Sequence, residues 1–262
     1  MRASSLLRTT WFAAAVVGIA ATAGAQSKVV VSHDEWFTSP GNLNTGEKQF
    51  VSNITNWFGL GGTGNVLLYS GDGYLVNTGF TTYLQSLGYT VTANASASSF
   101  SGYGAVFVEG NPTYDAVGLG NYVRGGGNVV YIGGTGIDGP AAEATYSNLF
   151  LNQFGLGFVP VYNGISGNVN TTGFSSQSPF GSSLFTGVTS VYANSGNDVL
   201  STVSAPADVT REVFYTSDYA GARQGVFGAA EVTTTPEPAS IALLGTGLFG
   251  LVPMIRRRNR NS

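Results

Sequence analysis

The chain has 262 residues, of which 43% are apolar and only 10% charged, with 38 Gly, no Cys and a single His. Six of the 11 basic residues lie in the two end segments, so residues 26–235 keep five basic against 13 acidic side chains, a formal charge of −8. That surface repels phosphate backbones and argues against nucleic acid as a partner; the lack of Cys removes disulfides, thiolate metal sites and Cys nucleophiles together, and one His excludes any site that needs two.

The first segment has the three parts of a secretory signal. Arg2 and Arg8 supply a basic start, residues 11–21 an apolar run, and Ala23, Gly24 and Ala25 the small residues that signal peptidase requires before Gln26. The apolar run falls short of the roughly 20 residues of a membrane span. Residues 1–25 are therefore read as a signal peptide, and residues 26–232 as an exported domain with room for one core. Without Cys, an exported domain depends on packing alone.

Within that domain, residues 28–32 are a short apolar run of the kind found in buried parallel strands. Phe50, Val51, Ile54, Trp57 and Phe58 recur at helical spacing, residues 66–69 form the next apolar run, and Phe80, Tyr83, Leu84 and Leu87 share one helix face before the stop at Gly88. Strands at 89–92 and 105–108, a helix over 114–124, a strand at 128–132 and a helix over 141–154 continue the alternation. It predicts an α/β fold of three layers, a mainly parallel sheet with helices on both faces. Beyond Leu156 the composition turns to Gly, Ser, Asn and Thr, with short apolar runs at 158–162, 187–192 and 212–215. These are read as strands and long loops that complete the same domain, giving a β- and loop-rich C-terminal half.

Residues 65–69, 101–110 and 122–136, in that order and spacing, resemble the class I glutamine amidotransferase-like fold, a sandwich related in layout to flavodoxin. The resemblance spans roughly residues 28–232. Active members of that family carry a G-x-C-x-G elbow after the strand corresponding to 128–132, with a downstream His as partner. This chain has Gly134 at the nucleophile's position and no His after His33. The resemblance thus implies the scaffold without the amidotransferase chemistry.

Residues 233–238 form a short linker. Residues 239–255 carry no charge, meet the lower limit for a membrane helix, and precede Arg256, Arg257, Arg258 and Arg260. Such a basic cluster stays cytoplasmic, so residues 256–262 are expected on the inner side and the domain outside. Pro253 would kink the last turn. Composition alone fits a plain tail anchor. Pro236, Glu237 and Pro238, followed by the apolar helix and then the Arg run, resemble more specifically the PEP-CTERM sorting signal, over about the last 28 residues. That resemblance implies transit through the inner membrane, recognition there by an exosortase, processing near Pro-Glu-Pro, and delivery to the cell surface or exopolysaccharide matrix of a Gram-negative bacterium. Similar tails also follow some ice-binding proteins.

In a parallel α/β sheet, ligands gather beyond the carboxyl ends of the strands. The residues expected there are His33, Asp34 and Glu35 after the first strand, Asp72 after the second, Glu109 after 105–108 and Asp138 after 128–132. Such an edge suits Ca²⁺ or sugar hydroxyls, with Trp36 as a stacking platform. The same residue types also cap helices and close Asx turns, as Asp138 would before the helix at 141, and a lone His is commonly a hydrogen-bonded core residue. The glycine-rich segments 59–64 and 133–136 read as turns, since no Gly-Lys-Ser/Thr occurs. No G-x-S-x-G elbow is present either. No catalytic residue and no obligatory cofactor is assigned. The function expected is a non-catalytic binding or structural domain, with exopolysaccharide as a partner. The alternative is a carbohydrate-active hydrolase or lyase using the carboxylate edge. Ice binding is a lesser alternative, because the many Thr form no regular Thr-x-Thr array.

Overall fold

The computed structural model describes residues 26–70, 72–110, 113–202, 204–216 and 223–233. The first half alternates as its periodicity predicts: β1 (Gln26–Ser32), α1 (Thr45–Trp57), β2 (Asn65–Tyr69), α2 (Thr78–Ser86), β3 (Thr90–Ala93), β4 (Ala105–Glu109), α3 (Ala116–Arg124), β5 (Asn128–Ile132) and α4 (Pro140–Leu151). Side chains capable of accepting a backbone N–H start three of these helices. Asn44 Oδ1 accepts from Gly46 N, Asn77 Oδ1 from Phe80 N and Asp115 Oδ1 from Gly118 N. At α4 the cap is Gly139, with Pro140 as the first helical residue, so Asp138 does not serve as a cap.

One seven-stranded sheet runs in the order β10-β11-β1-β5-β4-β2-β3. The strands from β1 to β3 in that order are parallel, whereas β11 (Gln224–Thr233) pairs antiparallel with β1 and with β10 (Val209–Thr216). The sheet is thus mixed, with α/β character, rather than parallel throughout. Alternate residues feed two cores. Val30, Leu68, Phe107 and Val130 pack under α1, α2 and α5 (Pro179–Phe185), and Val29, Leu67, Val106 and Tyr131 pack under α3 and α4. Burial on both faces is why these strands read as continuous apolar runs.

Two antiparallel ribbons complete the domain, β6 (Leu156–Tyr162) with β9 (Asn197–Ser201) and β7 (Ser166–Asn170) with β8 (Ser190–Asn194). The periodicity did not predict β7, β9, β11 or α5. The sequence of β11 is rich in Gly and Ala because β9 lies close over it: a Cβ at Gly225 would sit 1.9 Å from Val199 O. Among the described residues no helix is long and apolar enough to cross a membrane. The span expected at 239–255, the sorting residues Pro236, Glu237, Pro238, Arg256, Arg257 and Arg258, and the cleavage residues Ala23 and Ala25 lie outside the described residues. Gln26 opens β1.

Candidate functional site: a carboxylate cluster at the sheet's switch point

The chain leaves β2 outward to β3 and returns to β4 on the other side of β2, so the onward connections of the neighbours β2 and β4 diverge. The carboxyl ends flanking such a divergence form the crevice where α/β sheets hold ligands. Glu109 is the last residue of β4, and Asp72 lies in the loop that follows β2. Glu35, in the loop after β1, joins them: one carboxylate oxygen from each of Glu35, Asp72 and Glu109 lies within 4.8 Å of the other two.

Hydrogen bonds hold the carboxylates of Glu109 and Asp72 directly and Glu35 through its backbone. Ser70 Oγ donates to Glu109 Oε2 at 2.5 Å and accepts from Asp72 N at 2.8 Å, while Asp72 Oδ1 accepts from Tyr74 N at 2.8 Å. Thr38 Oγ1 donates to Glu35 O and to Tyr74 O, and Asn77 Nδ2 donates to Thr38 O and to Tyr74 O. Two of these bonds, Thr38 to Tyr74 O and Asn77 to Thr38 O, join the loops after β1 and β2 and so fix the backbone of Glu35 relative to Asp72.

Glu35 and Glu109 are each only 2% exposed, and Glu35 Oε2 and Glu109 Oε1 have no hydrogen-bond partner. Burial pushes the Glu35 carboxyl up to about 10, reinforced by the negative charge of Glu109, Asp72, Asp34 and Glu143. Burial likewise raises Glu109 to about 8, against the opposing hydrogen bond from Ser70. The five described basic side chains are engaged elsewhere: Lys28 with Trp57 O and Glu231, Lys48 over Tyr83, Arg124 with Asp208, Arg211 with Ser201 and Thr202, Arg223 over Tyr215.

The other residues expected at this edge have different roles. Asp34 is buried with its carboxylate turned to the backbone, accepting from Trp36 N at 2.6 Å and Asn194 N at 2.9 Å; burial raises it to about 7. His33 is also buried. Its Nδ1 lies 2.7 Å from Val226 O, which can only accept, so the proton sits on Nδ1, and burial lowers the ring to about 4. The imidazole is therefore neutral at pH 7 and outside the carboxylate cluster. Asp138 is exposed and does not join it.

Sequence reasoning missed Ser70, Tyr74 and Tyr192. The half-buried rings of Tyr74 and Tyr192 lie 5.0 and 6.1 Å from Trp36, between centroids, so Trp36 belongs to an aromatic group beside the carboxylates. The pattern Ser70-x-Asp72-x-Tyr74 after a strand is a local signal for two of them; nothing local marks Tyr192, which arrives on β8. A separate groove of about 640 Å³ follows α3, lined by Phe100, Tyr103, Asp115 and Tyr122 among others, and brings no second carboxylate.

At the elbow after β5, Gly134 has φ +65°, and a Cβ there would meet His33 O at 2.6 Å and the Gly196 Cα at 2.7 Å. Backbone thus fills the space that a nucleophile's side chain would need.

Residues 234–259 match the PEP-CTERM protein-sorting motif. No curated protein and no solved structure matches the chain. The motif supports an exported chain recognised by an exosortase, and implies sorting to the envelope or surface of a Gram-negative bacterium. The resemblance of the central domain to class I glutamine amidotransferases has no support beyond the α/β layout.

Proposed function

We propose that this is an exosortase-sorted protein of the cell surface or exopolysaccharide matrix, whose domain binds polysaccharide without catalysing a reaction. The match at residues 234–259 is the observation that carries the destination. Two features of the domain support binding without turnover. The elbow at Gly134 has no space for a nucleophile, and Trp36, Tyr74 and Tyr192 offer ring faces of the kind on which sugars stack. The alternative, a hydrolase or lyase acting through Glu35 and Glu109, would require substrate to reach carboxylates that are 2% exposed.

Intact mass and fractionation in the native host test the destination. In the presence of a functional exosortase the account expects a species beginning near Gln26, ending near Pro236 and found outside the cell. A species that still carries Arg256 to Arg258 in the inner membrane, despite an active exosortase, would make the tail a plain anchor.

A further inference from the structure

We propose that Glu35, Asp72 and Glu109 form a Ca²⁺ site. Three loops that are far apart in sequence bring one oxygen each to within 4.8 Å of the others. Ca²⁺ holds oxygens at roughly 2.3–2.6 Å, so two of its ligands are separated by at most about 5 Å, whereas Mg²⁺, at roughly 2.0–2.1 Å, demands a tighter octahedron. The bound admits a Ca²⁺ shell, and three protein carboxylates in an irregular arrangement suit Ca²⁺, since Mg²⁺ is usually held through one or two carboxylates with several waters.

A second observation points to a ligand. Glu35 Oε2 and Glu109 Oε1 are buried without a partner, and buried carboxylate oxygens are ordinarily paired with a donor or a cation. Among the described residues every basic side chain is engaged elsewhere, so none of them supplies a cation to the cluster, and a bound metal ion would. Buried oxygens of Glu47 and Glu143 also lack partners. Those two carboxylates, held through their other oxygens by Tyr192 N and by Thr135 and Tyr162, join no convergent group, whereas Glu35 and Glu109 do.

The surroundings hold the ligands in place. Ser70 orients Glu109 through its second oxygen and Tyr74 N orients Asp72, the outer-shell bonding typical of metal sites. Asp72 is half-buried, so the cluster has a side from which an ion can enter, and the remaining positions would be filled by water. The inference stands apart from the polysaccharide reading, since it concerns the ion alone.

The test is titration of the chelator-treated full chain with CaCl₂ alone, followed by calorimetry and by thermal melting, with Tb³⁺ luminescence excited through tryptophan as a third readout. The account predicts one Ca²⁺ per chain, a melting temperature that rises with Ca²⁺, and Tb³⁺ emission that Ca²⁺ quenches and equal Mg²⁺ does not. E109Q and D72N should each weaken binding at least about tenfold, while D138N, outside the cluster, leaves it unchanged. D72N, at the half-buried position, serves if E109Q fails to fold. No saturable binding at millimolar Ca²⁺ would overturn the proposal, as would binding that survives both D72N and E109Q.

Discussion

Gln26 and Thr233 are register partners, the first residue of β1 opposite the last residue of β11. Residues 1–25 and the sorting motif therefore connect to the domain at adjacent strand ends, at the amino end of β1. Glu35, Asp72 and Glu109 lie beyond the carboxyl ends of the parallel strands, a strand length of roughly 20 Å away. A domain tethered by its tail thus turns its carboxylates and aromatic group away from the tether.

The pairing also sets where the chain can be cut. Removing everything after Thr233 should leave the melting temperature of the domain unchanged. Removing residues 228–233 as well takes away the partners of residues 26–31, and that chain should not fold. Thermal melts followed by circular dichroism compare the two.

Gly134→Ala should destabilise the domain by about 2–4 kcal/mol, because the new Cβ is strained by the positive φ and meets two backbone atoms that cannot move aside independently. Gly134→Cys should do the same and confer no amidase activity. Denaturant midpoints measure the first effect, and release of ammonia from glutamine checks the second.

Phe185 sits among Phe50, Phe174, Phe214 and Phe227, whose ring centroids lie 5.1, 5.1, 4.9 and 5.4 Å from its own. It joins α5 to the sheet face covered by α1. Phe185→Ala should cost about 3–5 kcal/mol and Phe185→Leu distinctly less. Equal losses in the two variants would show that ring volume is not what holds α5 in place.

Glu47 is buried in α1, accepts from Tyr192 N, and has its carboxyl raised above the ordinary value of 4.5 chiefly by burial. The folded state therefore holds this proton more tightly than the unfolded chain. Its contribution is fully present below pH 4.5 and is lost as pH rises through the folded-state value. Glu47→Gln keeps an acceptor for Tyr192 and removes the titration, so the stability gap between variant and wild type should widen in favour of the variant above pH 4.5, then level off. Denaturant titrations across pH 4 to 8 read this directly.

The sequence made the sheet legible where burial is two-sided. β2, β4 and β5 each carry an unbroken run of four apolar residues, 66–69, 105–108 and 129–132, and strands covered on both faces need that. It hid β11, whose Gly225 answers to the backbone of β9, a contact made across more than twenty residues. The strand-end rule pointed to Glu35, Asp72 and Glu109, because each follows or ends a parallel strand at one edge of the sheet, and Asp72 and Glu109 belong to the two strands that flank the divergence. Asp138, exposed in the loop after β5, lies outside that cluster, and so does His33, whose ring is held in the core by the Val226 carbonyl. Tyr192 could not be foreseen, since its place beside Trp36 depends on β8 being tied to Asp34 through Asn194 N.

The measurement that bears most directly on the central claim is co-sedimentation of the full chain with exopolysaccharide purified from its host, comparing wild type with the W36A/Y74A double variant. The account predicts that wild type sediments with the polymer, that the variant binds at least about tenfold more weakly, and that the polymer keeps its length. Equal binding by the two proteins, or the appearance of new reducing or unsaturated ends, would contradict a non-catalytic domain that recognises polysaccharide through this edge.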